Sequence, residues 1–427
     1  MNTEFSPALC RAFEGRNIMI SQTNLSRRQL QTLRTLFQVC DTDDIKILSG
    51  VRGSGKAALF QKLEEFLMTN GVSSDQIIDL NLEQILWDTS SDSLQFQTIL
   101  QQRLASRDTR YYVFLKQVNF INGWESAIHT LQKQYNISFF LSASCADWHT
   151  DAFHALFEDR YAEFPVYPLS FSEYMEACGP RGFHSAEALF TQYLHYGSLL
   201  PVNLALVDDR VARSISSGIY YTILANDLMR HNTIKDMPMF ERLTQYMMRN
   251  IGVLGSPKSI SDHFASIGYK IASDTIANYL AALENSYIFY KIPRYDILAQ
   301  RELKSRSKHY IVDTGLRHGL TNSYDDVGYE LENTVLFELL GRGYQVQIGK
   351  IGKGELDFIA TIDDRTEFYQ VCRTISSKAD FFEREYKPLL QVKSPCARKV
   401  ILSMDKTLPN PHDGIEYKNL LSFLCEK

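Results

Sequence analysis

The sequence of 427 residues has little excess charge of either sign. Lys and Arg number 45 against 50 Asp and Glu, a net charge of −5. A uniformly basic nucleic-acid coat is thereby excluded, and any nucleic-acid contact has to come from a local patch. No apolar run reaches the ~18 residues that a membrane span needs. The first residues, Met1 to Cys10, lack a charged stretch followed by an apolar one, so no secretory signal is expected. The seven cysteines (Cys10, Cys40, Cys145, Cys178, Cys372, Cys396 and Cys425) form no CxxC pair. An odd, scattered set argues against a disulfide framework or zinc ribbon and for reduced thiols in the cytoplasm. HExxH and GxSxG are absent, and the ten histidines show no metal-ligand spacing. Zincin and serine-hydrolase chemistry lose their support, and no metal site is expected. No internal repeat or low-complexity tract stands out.

What is present is alternation. Short apolar runs at Asp44–Ser49, Ile77–Leu82, Tyr111–Leu115, Ile137–Leu141 and Glu163–Tyr167 read as strands. Between the first two, Leu59, Phe60, Leu63, Phe66 and Leu67 recur at helical spacing over Ala57–Thr69. The pattern predicts an α/β fold with a parallel sheet over residues 38–168, after a lead-in of residues 1–37 with a helix around Arg27–Phe37. Residues 169–250 read as helical. Residues 251–320 have the outline of a winged helix. In it Ser259 and Ser273 are expected helix caps, with an apolar face through Ile276, Leu280 and Leu283. Strands Tyr287–Ile292 and His309–Val312 follow, joined by Arg294–Lys308. A last domain, 325–427, is expected to start with a helix, Leu331–Leu340, and strands Tyr344–Ile348, Leu356–Ile362 and Glu367–Val371.

The chemistry concentrates in Gly50-Val51-Arg52-Gly53-Ser54-Gly55-Lys56-Ala57, which follows a predicted strand, opens a helix and fits GxxxxGK. Backbone N–H groups of such a loop suit phosphate, and the lysine reaches the β- and γ-phosphates. Ala57 stands where a Ser or Thr hydroxyl ordinarily ligates Mg²⁺. An active NTPase ends the strand Tyr111–Leu115 in Asp-Glu, for metal and water; here Lys116-Gln117 follow. A charged lysine ligates no metal, and Gln is a poor base. Lys116 has two readings: a cation near the phosphates that stands in for metal charge, or a strand-end lysine, solvated or paired with Asp159 or Glu125. Arg294, Arg301, Lys304, Arg306 and Lys308 form a local basic segment that either tracks phosphates or is a solvated or protein-contacting hairpin. The helix Ser273–Glu284 is not basic, which argues against base readout. Trp124, Tyr161, Phe171 and Tyr174 are read as packing residues.

In these segments the chain resembles the AAA-type ATPases of bacteria and archaea that carry a C-terminal nuclease-like domain of unknown function. The resemblance runs from about Arg28 to Leu424. It is carried by IKILSGVRGSGKAAL (45–59), YYVFLKQVNFINGWE (111–125), DRYAEFPVYPLSFSEY (159–174), YGSLLP (196–201), NDLMR (226–230), TIANYLAALE (275–284), YIVDTGLR (310–317), ELENTVLFELLGRGYQV (330–346), GELDFIA (354–360) and EFYQV (367–371). It implies an ATP- or ADP-binding core, a helical segment, a winged helix and a PD-(D/E)xK-like end domain. The departures are Ala57, Lys116-Gln117, Cys145 where the family's polar motif has Asn, and Asp159 in place of a Gly before Arg160. Arg160, with Arg230, is a candidate phosphate contact, in its own or a neighbouring subunit; the alternative pairs both with carboxylates such as Asp227. In the end domain Glu332, Asp357 and Gln370-Val371-Cys372 resemble the nuclease motif with Gln370 for a carboxylate and Cys372 for the lysine. Glu355 is a spare carboxylate. The expectation is a cytoplasmic pseudo-ATPase that binds nucleotide without a proper Mg²⁺ site and meets DNA or a protein partner, not a membrane. The alternatives are a slow ATPase and a DNA-binding or scaffold protein with an empty pocket.

Overall fold

The computed structural model describes residues 27–85, 93–146, 148, 151–158, 160–178, 185–199, 209–229, 234–321, 327–376, 379–394 and 397–426. The expected lead-in before residue 27, Asp159 and Arg230 lie outside these residues. The chain forms two compact units. The first takes residues up to Ser49, Gly55–Ala143 and Trp148–Val166; the second takes Gly50–Ser54, Ser144–Asp147 and the chain from Tyr167.

In the first unit the five predicted runs become β1 (Ile45–Ser49), β2 (Ile77–Asn81), β3 (Tyr111–Lys116), β4 (Ile137–Ala143) and β5 (Tyr161–Pro165). They pair in the order β2-β3-β4-β1-β5, every pair parallel. Central parallel strands are covered on both faces, which is why β1 and β4 read as unbroken apolar runs and are buried throughout. Successive side chains alternate between the faces. Leu48, Phe114 and Phe140 therefore meet Leu59, Phe60 and Leu63 of the helix Lys56–Thr69, while Ile47, Val113, Phe139 and Leu141 meet Trp124, Ala127 and Leu131 of the helix Trp124–Gln134. Phe114 and Phe140 stack at 4.7 Å. Each fully buried Leu or Phe contributes roughly 2 kcal/mol, so this helix-on-sheet packing fixes where the loop after β1 begins. Parallel pairing puts the C-terminal ends of β1, β3 and β4 at one edge, the usual position of a ligand site in such sheets.

The second unit opens with helices Phe171–Cys178, Ala186–Tyr196, Asp209–Ile223 and Met237–Arg249; a five-residue π-helical turn, Leu224–Leu228, follows the third. Helices Pro257–Ser266 and Ser273–Asn285 come next. The first is capped by Ser256, not Ser259: Ser256 Oγ accepts from Ser259 N–H, and Ser259 closes the capping box from its third position. Ser273 is likewise inside its helix, and Ala272 takes the cap position.

Strands β6 (Leu254–Gly255), β7 (Phe289–Asp296) and β8 (Arg301–Ile311) follow this helical pair in space, β8 pairing antiparallel with both others. Residues 294–308 are therefore not a connection but mostly the two hairpin strands themselves. β7 also pairs parallel with β9 (Gln345–Ile351). This joins the hairpin to β10 (Gly354–Ile362), β11 (Arg365–Cys372), β12 (Arg398–Ser403) and β13 (Ile415–Asn419) in one eight-stranded sheet, ordered β13-β12-β11-β10-β9-β7-β8-β6. β12 and β13 were not anticipated from their short apolar runs. The helix Val327–Gly341 is buried continuously from Glu330 to Leu339. Among the described residues no helix is long and apolar enough to cross a membrane.

Candidate functional site

The loop after β1 has the backbone its glycines require. Gly50, Gly53 and Gly55 have φ of 140°, 87° and 104°, values that L side chains rarely adopt. A Cβ at Gly55 would also strike Gln29 Nε2 from the helix Arg27–Gln38. The turn is tightened by Ser54 N–H donating to the Val51 carbonyl at 3.2 Å, and the helix starts at Lys56. Its first N–H groups have no acceptor within the helix, so an anion is favoured there. Ser54 Oγ is buried with no hydrogen-bond partner among the described residues, and the Lys56 side chain is buried too. An unsatisfied hydroxyl among left-handed glycines at a helix N-terminus is what a phosphate group fits. Ala57 is exposed and offers only a methyl group.

At the end of β3, Lys116 Nζ lies 2.5 Å from Asp79 Oδ2 on β2. Its partner is thus Asp79 and not Glu125, Asp159 lying outside the described residues, and the ion pair already neutralises its charge. Glu64 stands in the same group: burial, then Asp79, push its carboxyl up to about 7, with Lys116 acting in the opposite sense. Gln117 adopts a left-handed φ of 60° and donates its N–H to Ser142 Oγ at 3.3 Å. A non-glycine residue in this conformation often marks a functional position.

Two site positions converge on Asp227 in the π-helical turn. Arg52 donates Nε and Nη2 to the two carboxylate oxygens at 2.9 and 2.8 Å, and the buried Cys145 donates its thiol to the Asp227 carbonyl at 2.8 Å. The partner this places on Asp227 is Arg52, which the sequence did not point to; Arg230 lies outside the described residues. π-Helical turns are rare and frequently functional. This convergence was invisible in the sequence, where Arg52 and Asp227 lie 175 residues apart.

Arg160 does not join the loop. Its carbonyl accepts from Ile45 N–H, at the start of β1, and its side chain lines a pocket of about 260 Å³ with Asp43, His129, Lys133 and Asn136. The loop leaves the other end of β1, roughly 17 Å away. A catalytic role for Arg160 at its own chain's loop is excluded by this placement.

The residues of the expected nuclease-like motif do come together, in a cavity of about 590 Å³ in the second unit that Glu332, Glu355, Asp357, Gln370, Cys372 and Glu385 help to line. Gln370 Oε1 accepts from Asp357 N–H at 2.7 Å while its Nε2 donates to Glu385 Oε2 at 2.6 Å. Asp357 Oδ2 accepts from Val371 N–H at 2.8 Å. A Glu at position 370 would set its carboxylate against that of Glu385. The sequence did not reveal the lysine that meets these carboxylates: Lys308, from β8, lies 2.9 Å from Glu355 Oε1 and 3.3 Å from Glu332 Oε2. Burial would lower its pKa, but Tyr310, Glu332, Asp357 and Glu355 outweigh burial and hold it well above the usual lysine value. Burial pushes the Glu332, Asp357 and Glu385 carboxyls upward. It also pushes the Cys372 thiol up to about 12, so this cysteine is no nucleophile near neutral pH. Lys308 is thus lost to the expected basic segment, whose Arg301, Lys304 and Arg306 are exposed. Among the described residues no group of three or more His, Cys, Asp and Glu is placed to hold a metal ion.

The AAA domain family matches residues 42–175, and a domain of unknown function (DUF8612) matches residues 187–326. An uncharacterized protein of Haemophilus influenzae is 31% identical over 409 residues, spanning 95% of this chain and 100% of that one. An uncharacterized protein of Methanocaldococcus jannaschii is 22% identical over 360 residues, spanning 80% of this chain and 77% of that one. Among solved structures, AMPPCP-bound DnaA of Aquifex aeolicus covers 63% of this chain and 90% of its own at 14% identity, with a TM-score of 0.33. The Aeropyrum pernix Orc1 protein in complex with DNA covers 70% and 93% at 13% identity, with a TM-score of 0.31. Scores this low add nothing to the assignment, which rests on the full-length relative and on the AAA domain. The chain belongs to the same family as the Haemophilus influenzae protein, and its residues 42–175 match the AAA domain.

Proposed function

We propose that the protein binds ATP or ADP on Gly50, Arg52, Gly53, Ser54, Gly55, Lys56 and Ala57 without metal-assisted hydrolysis, and acts as a nucleotide-responsive binding module. The observation that carries this reading is the asymmetry of the site. The phosphate-cradling half is intact in backbone and lysine. The metal half offers a methyl at Ala57, a lysine engaged with Asp79, and an amide at Gln117. Nucleotide phosphates fit the residues present; Mg²⁺ ligation through the ordinary positions does not, and no hydrolytic step is derived through it.

The response would run through Arg52, since its guanidinium is held by Asp227 and both belong to the second unit. Residues 251–320, with the arrangement of β6, two helices, β7 and β8, support a winged-helix reading. The exposed Arg301, Lys304 and Arg306 support a contact with an acidic surface, of DNA or of a protein. Glu332, Asp357 and Gln370 support a nuclease-like end domain that has lost cleavage.

Calorimetric titration of the purified chain with ATP, with and without Mg²⁺, tests the reading. Micromolar binding that is indifferent to Mg²⁺, with no phosphate release, is expected. Mg²⁺-dependent turnover abolished by Lys56→Ala would replace it with the slow-ATPase alternative.

A further inference from the structure

The polar cavity of the second unit contains one feature that the nucleotide site does not explain. Five acidic side chains, Glu332, Glu355, Asp357, Glu383 and Glu385, line it. Such a density of carboxylates ordinarily signals a divalent cation. Instead, the ammonium of Lys308 pairs with two of them, Glu332 and Glu355, from a side chain only 5% exposed. The lysine is not a stray surface group: it is delivered from β8, whose neighbouring Tyr310 donates its hydroxyl to the same Glu332 Oε2 at 3.0 Å.

We infer that Lys308 is the resident cation of this carboxylate cluster, occupying the place a divalent metal would take and excluding one. The inference rests on the geometry of the cluster and holds whether or not the domain descends from a nuclease. Three observations carry it. The two carboxylates that face Lys308 are held at 2.9 and 3.3 Å from its nitrogen, spacings set by an ammonium. Divalent ions draw oxygen to about 2.0–2.6 Å, so the lysine props the cluster open. Gln370 links the backbone N–H of Asp357 to the carboxylate of Glu385 with one acceptor and one donor, and so fills its place beside the cluster without adding a negative charge. Finally, the lysine is carried by the hairpin strand of the same continuous sheet, so its pairing with Glu332 and Glu355 depends on β8 being in place.

The test is Mn²⁺ titration of the nucleotide-free full chain, read by the loss of the free-ion paramagnetic resonance signal and by melting temperature. The wild type is expected to bind no Mn²⁺ that Asp357→Asn removes, and to melt at the same temperature with and without the ion. Lys308→Met is expected to gain a single Mn²⁺ site, at least about tenfold tighter than any wild-type binding. That site should disappear in the Lys308→Met/Asp357→Asn double variant, and Mn²⁺ should raise the melting temperature of Lys308→Met alone. A wild-type Mn²⁺ site abolished by Asp357→Asn overturns the inference, as does a folded Lys308→Met that binds none. Where Lys308→Met folds in neither condition, the wild-type comparison with Asp357→Asn decides by itself.

Discussion

At the scale of single residues, the two lysines of the nucleotide site are set apart by their partners. Lys56 is buried at the start of a helix whose N-terminus favours anions; Lys116 is spent on Asp79. Lys56→Ala is therefore expected to weaken ATP binding by at least about a hundredfold, while Lys116→Ala leaves it within about twofold; calorimetry compares the two. A large loss with Lys116→Ala would show that its ammonium reaches the phosphates after all. Glu64 gives a pH prediction. Its carboxyl is pushed from 4.5 up to about 7 by burial and then by Asp79. The folded state thus holds this proton more tightly than the unfolded chain does. The associated stability is present in full below pH 4.5 and is lost as pH rises through 7. Glu64→Gln should stabilise the protein at pH 8 by on the order of 1 kcal/mol and leave it unchanged at pH 4. Chemical denaturation at the two pH values measures this; equal effects at both would remove the titration argument.

At the scale of elements, the π-helical turn Leu224–Leu228 is what brings Asp227 to Arg52 and Cys145. Asp227→Asn keeps the shape but removes the charge opposite a guanidinium that is largely withdrawn from water. A loss of about 2 kcal/mol in unfolding free energy is expected, with nucleotide binding retained. If denaturation midpoints stay at wild-type values, the bidentate pair has no weight in the fold. The hairpin β7–β8 shows the same dependence of a side chain on its element. Arg301, Lys304 and Arg306 lie on its exposed part, while Lys308, two residues on, lies in the carboxylate cluster. The composition of the segment could not separate these fates, because strand pairing with β6 and β7 decides which part of β8 is covered.

At the scale of the whole molecule, a ligand that binds only the folded chain stabilises it by mass action. ATP at a hundred times its dissociation constant should add about 2.7 kcal/mol to the unfolding free energy, with or without Mg²⁺. Thermal or chemical denaturation at graded ATP concentrations checks this. A shift that appears only with Mg²⁺ would show a metal site that Ala57 and Lys116 do not build.

Much of this molecule was determined by local sequence alone. The five strands of the first sheet, the helix over Lys56–Thr69 and the phosphate loop are legible because each rests on neighbouring residues: apolar runs, helical spacing and glycines where φ is positive. The departures at Ala57, Lys116 and Gln117 are legible for the same reason, since a GxxxxGK loop and its partner strand assign an expected chemical role to fixed positions. Tertiary structure decided what depends on distant chain segments. It tied Lys116 to Asp79, turned Arg160 to the far edge of the sheet, joined Arg52 and Cys145 through Asp227, and supplied Lys308 to Glu332 and Glu355. Charged and polar side chains pair with whatever the packed fold brings within about 3 Å, and no spacing along the chain encodes that neighbour.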